Sequence, residues 1–253
     1  MNWVFSEGFS QYKDDVSSII KNFKNSGVPI GPGARNVVKV FEIDGKQYNF
    51  KSFKQHNVIN RHVYKFYRKS KARRSFEYAS ILLSKHFYTP NPVAYIEYHD
   101  FWGLTSSYYV SEQLGNCFPL TDALHNPEFT DRETIFKAYA SLIYNLHENG
   151  IEFIDNASGN FLIKKENDTY NFYLVDLNRM NFHTNFPTDK RLQNFARLTN
   201  DTETMKIISA EYSRLSGIPV EYCLRKISEA SEKMVRKRKI KKILKFYKYF
   251  LPK

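Results

Sequence analysis

Apolar positions along this chain alternate between helical and strand spacing, and the changes of spacing mark its elements. Tyr12, Val16, Ile19, Ile20 and Phe23 recur at threes and fours and predict a short helix over 11–25. GVPIGPGARN (27–36) then reads as a turn-rich loop. VVKVFEI (37–43) and KQYNFKSF (46–53) flank Asp44-Gly45, which predicts a tight hairpin. Residues 57–86 are helical in pattern, with Ala72, Phe76, Ala79 and Leu83 along one face. Two strands joined by a turn follow over 89–100 and 101–114.

Beyond Gly115 the pattern is mostly helical. Pro119–Leu124 predicts a short helix. Thr130–Glu148 predicts a long one, with Ile135, Ala138, Leu142, Ile143 and Leu146 on a common face and Thr130 and Glu133 placed as a capping box. FLIKKENDTYNFYLVDLNR (161–179) reads as a second hairpin, and the chain from about 188 onward as helices. This order predicts an α+β protein of two unequal lobes: residues 1–114, a small antiparallel sheet with one main helix, and residues 115–253, larger and mostly helical.

Composition narrows the picture. The 253 residues carry 42% hydrophobic and 25% charged side chains, ordinary for a folded chain able to bury a core. The net charge of +12 favours a polyanionic partner without choosing among nucleic acid, membrane surface and phosphorylated substrate. Two cysteines, Cys117 and Cys223, exclude a disulfide framework. The first residues lack a signal-peptide pattern, and no run of 18 apolar residues predicts a membrane-spanning helix. A cytoplasmic protein is expected.

Phosphoryl transfer from ATP requires a base for the attacking hydroxyl, oxygen ligands for a metal, a lysine on the phosphates and an acid to hold that lysine. GIEFIDNASGNFLI (150–163) contains Asp155 and Asn160 in D-x-x-x-x-N, the spacing at which a kinase loop sets a base and a metal ligand. Sixteen residues later, LVDLN places Asp176 after an apolar strand, where a metal-binding carboxylate belongs. Lys51, on the strand after the first turn, is the candidate phosphate lysine, with Lys54 as competitor, and Glu77 is its candidate partner. Glu112, Gln113 and Leu114 enter the seam, where backbone groups could bind an adenine edge. Each signal alone has a bland reading as a polar loop, a solvated strand face or a surface ion pair. Their order along the chain argues for function.

Three stretches resemble the lipopolysaccharide kinases (Kdo/heptose kinase type) of the protein-kinase-like superfamily: 68–83 with 89–97, 146–160 and 172–180. The resemblance implies a bilobal fold, ATP and Mg²⁺, and phosphorylation of a sugar hydroxyl in the lipopolysaccharide inner core, in particular Kdo on a lipid A precursor. It implies Asp155 as base, Asn160 and Asp176 as Mg²⁺ ligands, Lys51 on the phosphates and Glu77 paired with Lys51. The chain departs from the family pattern at Phe153, where a His is usual, and at Ile154 and Asn156. The stretch Asp176-Leu177-Asn178 lacks a glycine, and Gly31, Gly33, Arg35 and Asn36 do not form G-x-G-x-x-G. The rival readings are a kinase-like binding module without catalysis and a kinase for protein or another small molecule.

Two basic tracts remain. YKFYRKSKARR (64–74) is either a solvated helix face or a site for an anionic sugar-lipid. Residues 233–253 hold ten Lys/Arg and no acid, with Ile240, Ile243, Leu244, Tyr247 and Leu251 recurring at threes and fours. That is an apolar stripe flanked by lysines, suited to an anionic membrane rather than to nucleic acid. The expected placement is peripheral, on the cytoplasmic face of the inner membrane, with no obligate protein partner.

Overall fold

In the computed structural model, which describes residues 1–31, 36–53 and 68–250 and side chains as far as 244, the chain divides into two units. One is Met1–Asn116 with Tyr173–Arg179; the other is Cys117–Phe172 with Met180–Lys253.

The first unit is built on six strands: β1 (Asn2–Phe5), β2 (Val28–Ile30), β3 (Asn36–Ile43), β4 (Lys46–Phe53), β5 (Pro92–Asp100) and β6 (Gly103–Glu112). They lie in the order β1-β5-β6-β4-β3-β2, with every pairing antiparallel. The β3–β4 turn has Asp44 at φ 50° and Gly45 at φ 69°, the positive values that a two-residue hairpin of this twist needs. Side-chain alternation on β4 divides the core. Tyr48 and Phe50 join Phe9, Val16, Ile20 and Phe23 beneath α1 (Lys13–Lys21). Phe53 points the other way, to Ala72 and Tyr95 under α2 (Lys71–Ser84). Lys51, two residues before Phe53, shares the α2 face by the period of the strand.

Helix α2 starts at Ser70, whose hydroxyl accepts a hydrogen bond from the Arg73 N–H at 3.0 Å. The start of the helix expected over 57–86 lies outside the described residues, as do Gly33, Arg35, Lys54 and Lys65. The most buried stripe is Ala72, Ser75, Ala79 and Leu82, with Arg74 also buried; of the expected face, Phe76 is half-buried and packs on Tyr95, and Leu83 is only partly buried. It advances by threes and fours along the side turned to the sheet. β1 and β2 were not anticipated. β1 is four residues long and, among the described residues, pairs with β5 alone, some ninety residues away; β2 lies in what reads locally as a loop.

Residues 173–179 belong to the first unit through local bonds. The Leu174 N–H donates to the Tyr88 carbonyl at 3.0 Å. Thr89 Oγ1 donates to the Leu174 carbonyl at 2.7 Å. The rings of Tyr88 and Tyr173 stack at 5.3 Å.

The second unit contains β7 (Phe118–Pro119), α3 (Leu120–His125), α4 (Arg132–Glu148), β8 (Ile151–Phe153), β9 (Phe161–Glu166), β10 (Thr169–Leu174, whose last two residues belong to the first unit) and β11 (Met180–Phe182). It continues with α5 (Thr188–Gln193), a 3-10 turn at Asn194–Arg197, α6 (Thr202–Ser216) and α7 (Val220–Phe250). Strands order as β10-β9-β7 and β11-β8. The expected capping box at Thr130 is not formed. Asp131 is the N-cap of α4 at φ 59°, without a side-chain cap bond. Its carboxylate instead accepts from Lys165 at 3.0 Å and Tyr170 at 2.6 Å.

Phe136, Tyr139, Ile143, Phe153, Phe161, Phe195 and Tyr212 are all at most 2% exposed and form this unit's core. Each contributes roughly 1.5–3 kcal/mol by leaving water. Gly150, at φ +69°, turns the chain from α4 into β8. A Cβ there would sit 2.2 Å from the His183 carbonyl oxygen, so the turn admits no side chain.

Candidate functional site

In the second unit, Asp155 lies two residues past β8, whose Phe153 pairs with Met180 of β11. The loop closes on itself. The Asp155 carbonyl accepts from the Ala157 N–H at 2.7 Å and from Asn160 Nδ2 at 2.7 Å, and the Asn160 N–H donates to the Ala157 carbonyl at 2.9 Å. Because Asn160 donates through its amide nitrogen, the amide oxygen is the atom left to ligate a hard cation. The Asp155 residue is 8% exposed, and its Oδ1 lies 3.3 Å from Nη2 of Arg197.

Beneath this loop runs a buried polar network. Asn194 Nδ2 donates to the Phe153 carbonyl at 2.9 Å. Asn156 Nδ2 donates to the Asn194 carbonyl at 3.1 Å, and Tyr139 donates to Asn156 Oδ1 at 2.6 Å. His147 lies 3.2 Å from Asn194 Oδ1 through Nε2 and 2.9 Å from the Tyr212 hydroxyl through Nδ1. The Phe153 ring packs edge-on against Phe161 at 5.6 Å. The position where the family pattern has a histidine is therefore supported by an apolar side chain plus a main-chain bond from Asn194. Neither Asn194 nor Tyr139 carries a motif, and only proximity in the fold identifies them.

Burial holds the His147 imidazole well below the usual range, at about 3, against a smaller opposing effect of its bond to Asn194. The folded state thus keeps this ring neutral while the unfolded chain protonates it near 6.5. The unfolded state binds more protons between those values, so stability is full above about pH 6.5 and falls as pH drops toward 3. The expected loss from this group approaches about 1.4 kcal/mol per pH unit within that window. Urea unfolding at pH 7, 6 and 5 measures it, and a His147→Gln variant should show a flatter profile. Equal slopes for the two proteins would exclude the assignment.

In the first unit, Lys51 forms an ion pair with Asp176 Oδ1, and Asn178 Nδ2 donates to the same oxygen at 2.7 Å. Asp176 occupies the left-handed region at φ 60°. The ammonium groups of Lys51 and Lys71 lie 5.4 and 6.0 Å from the centre of the Phe53 ring. Burial, then the neighbouring Arg74, holds the Lys71 ammonium below the usual lysine range, with Asp176 acting in the opposite direction. Sequence reasoning placed Lys71 only in a charge tract. Its approach to Lys51 comes from packing of the first turn of α2 beside β4.

One expectation needs correction. Lys51 and Glu77 do not form an ion pair. The Glu77 carboxylate is held by Lys69 at 2.8 Å and by Arg73 Nε at 2.8 Å. Burial would push that carboxyl up, but these two hydrogen bonds outweigh it and hold it below its usual range. A local i,i+4 pair and the lysine just before the helix reach Glu77 where Lys51, already at Asp176, does not.

Of the backbone groups of Glu112, Gln113 and Leu114 expected to face an adenine edge, some are engaged within the unit. The Glu112 N–H donates to the Asn91 carbonyl at 3.0 Å and the Gln113 N–H to the Gln47 carbonyl at 2.9 Å. The Leu114 carbonyl accepts from Gln113 Nε2 at 3.1 Å. The strand ladder runs on past Glu112 and takes the N–H groups of Glu112 and Gln113, which removes those two from the candidate contacts, while a carbonyl with one bond can accept a second.

Among the described residues no three His, Cys, Asp or Glu cluster as a metal cage. The candidate ligands are one carboxylate and one amide. Asp176 in the first unit and Asn160 in the second are each an oxygen donor of the kind that Mg²⁺ takes, an ion that uses few protein oxygens and completes its shell with phosphate and water.

A family model described as the lipopolysaccharide kinase (Kdo/WaaP) family matches residues 31–218. No curated protein matches the chain. A solved structure described as WaaP in complex with acyl carrier protein superposes with a TM-score of 0.65 and 18% identity, covering 94% of this chain and 98% of that one. At that identity the likeness shows the protein-kinase-like fold. The matched span contains the D-x-x-x-x-N loop, Lys51 and Asp176, and it extends over well more than half the chain: this protein belongs to the lipopolysaccharide kinase (Kdo/WaaP) family, and is a phosphotransferase.

Proposed function

We propose that the protein transfers the γ-phosphoryl group of ATP to a hydroxyl of the lipopolysaccharide inner core, specifically of Kdo on a lipid A precursor. The observation that carries this reading is the self-braced loop in which Asn160 Nδ2 holds the Asp155 main-chain carbonyl, so that the D-x-x-x-x-N spacing is fixed by a bond that uses neither the Asp155 carboxylate nor the Asn160 amide oxygen. Lys51 would contact the phosphates. Asp176 and Asn160 would hold Mg²⁺, which when bound neutralises charge on the triphosphate. Asp155 accepts the proton of the sugar hydroxyl. The hydroxyl oxygen bonds to the γ-phosphorus as the bond from that phosphorus to the β,γ-bridging oxygen breaks, with the electron pair leaving on ADP. The rate enhancement comes chiefly from positioning and charge stabilisation.

Helix α7 supports a membrane-bound acceptor. No helix among the described residues is long and apolar enough to cross a membrane. Ile240, Ile243 and Leu244 are exposed at 56%, 54% and 63%, beside exposed Lys237, Arg238, Lys239, Lys241 and Lys242. Each such cation contributes about 1 kcal/mol near an anionic surface.

Labelled ATP, offered with lipid A precursors with and without Kdo, tests the reading. Label should enter only the Kdo-bearing lipid, and faster on anionic than on zwitterionic vesicles. Label appearing in protein and never in lipid would end the sugar-kinase reading, and equal rates on both vesicles would end the membrane one.

A further inference from the structure

The second unit contains a groove between the 196–201 segment and α7, lined by Arg197, Asn200, Arg238 and His125, with Met234 and Val235 as apolar lining; Asp155 is linked to it through Arg197. The groove lining carries two arginines against one acid. Its one acidic lining residue, Asp201, already accepts from the Thr204 N–H at 2.9 Å and Thr204 Oγ1 at 2.6 Å, and lies 3.4 Å from Arg132. Arg238 is exposed and makes no ion pair or hydrogen bond within the described residues. Arg197 Nε is buried and has no hydrogen-bond partner there, while Nη2 of the same guanidinium touches Asp155. The turn that carries Arg197 also carries Asn194, which braces the Asp155 loop.

We infer that this groove is the acceptor subsite, and that it takes a negatively charged sugar through Arg197 and Arg238 while presenting the sugar's hydroxyl to Asp155. The inference rests on the proposed function and names its substrate-recognition residues. Arg197 lines the groove and touches Asp155, so a guanidinium that can bind an anion lies next to the proposed base, on the scale of a single sugar ring. The anion is therefore assigned to a carboxylate on the reacting ring, rather than to a phosphate elsewhere on the lipid. Met234 and Val235 give the ring carbons an apolar wall.

Arg238 is the residue to test, because it is exposed and distant from the folding core. The assay uses the full-length protein and Kdo-bearing lipid A precursor in neutral detergent micelles, so that attraction of α7 to a charged surface plays no part. Arg238→Ala should raise KM for the acceptor about tenfold and Arg238→Glu further, with kcat and KM for ATP near wild type. Arg236→Glu makes the same charge change on the same helix, outside the groove lining, and should leave KM for the acceptor unchanged. The Kdo methyl ester should bind the wild-type protein as weakly as the native acceptor binds Arg238→Glu, with no further loss in the variant. An unchanged acceptor KM in Arg238→Glu, or equal effects of the two arginine variants, overturns the subsite. If Arg238→Glu weakens the ester as much as the native acceptor, the anion is a lipid phosphate and the carboxylate assignment falls. Absence of transfer to any sugar-lipid by the wild-type protein is a different result. It removes the sugar-kinase reading itself, and this subsite with it.

Discussion

Asp155→Asn lowers kcat by about 10²–10⁴-fold, the range expected for loss of a general base, with KM for ATP unchanged and the protein still folded. The change is isosteric and removes the negative charge and the proton acceptor. The bonds that shape the loop use the Asp155 main-chain carbonyl, to Ala157 and Asn160, and survive the substitution. Lys51 and Asp176, the proposed nucleotide groups, lie in the other unit and are untouched. What the variant loses besides the base is the charge opposite Arg197, 3.3 Å away, which favours an anionic acceptor if anything. Steady-state kinetics with the Kdo-bearing lipid separate the roles. A fall in kcat and kcat/KM together marks an interaction made in the transition state, whereas a raised KM at constant kcat marks a binding residue. A variant retaining more than about a tenth of wild-type kcat excludes Asp155 as base.

Asn194→Ala costs about 3 kcal/mol of stability and lowers the melting temperature by about 6–12 °C. Its side chain donates to the Phe153 carbonyl at 2.9 Å, lies 3.2 Å from His147 Nε2 and is 3.4 Å from Asn156 Nδ2. Truncation leaves a buried carbonyl and a buried imidazole nitrogen without partners, at about 1–3 kcal/mol each, eased where water enters the space. Asn156 keeps its bond to the Asn194 main-chain carbonyl at 3.1 Å, so the network loosens rather than collapses. The consequence reaches chemistry because Phe153 is two residues before Asp155. Turnover should fall tenfold or more at temperatures where the protein is still folded, since small misplacement of a catalytic group is costly. Circular dichroism melting and kcat on the same preparation check both. Wild-type turnover in a destabilised variant would show that Asn194 stabilises the unit without positioning the base.

Much of the fold was legible because its information is local. Asp44-Gly45 demands positive φ at two adjacent residues, and the apolar alternation on either side requires a half-buried strand. Ile135, Ile143 and Leu146 recur at helical spacing and are indeed buried, but so are Phe136, Tyr139, Ala140 and His147, which widen the stripe beyond the face read from periodicity. β1 and β11, four and three residues long, escaped notice. A strand that short leaves no periodic trace, and its partner lies some thirty to ninety residues away. The missed capping at Asp131 has the same origin, since Lys165 and Tyr170 compete for its carboxylate from a distant hairpin.

The candidate residues divide along the same line. Asp155, Asn160, Asp176 and Lys51 could be nominated from the sequence because their chemistry dictates residue type and their elements dictate spacing. The ion pairing could not. Lys51 meets Asp176, 125 positions away, while Glu77 is taken by Lys69 and Arg73 at sequence separations of eight and four. The sequence by itself therefore determined which groups are present and on which kind of element. The tertiary structure alone decided which lysine meets which carboxylate, and that His147, Asn156 and Asn194 lie together beneath the Asp155 loop. The physical reason is that periodicity and turn chemistry act over a few residues of chain, whereas hydrogen bonds and ion pairs are chosen among all groups that packing brings within about 3 Å.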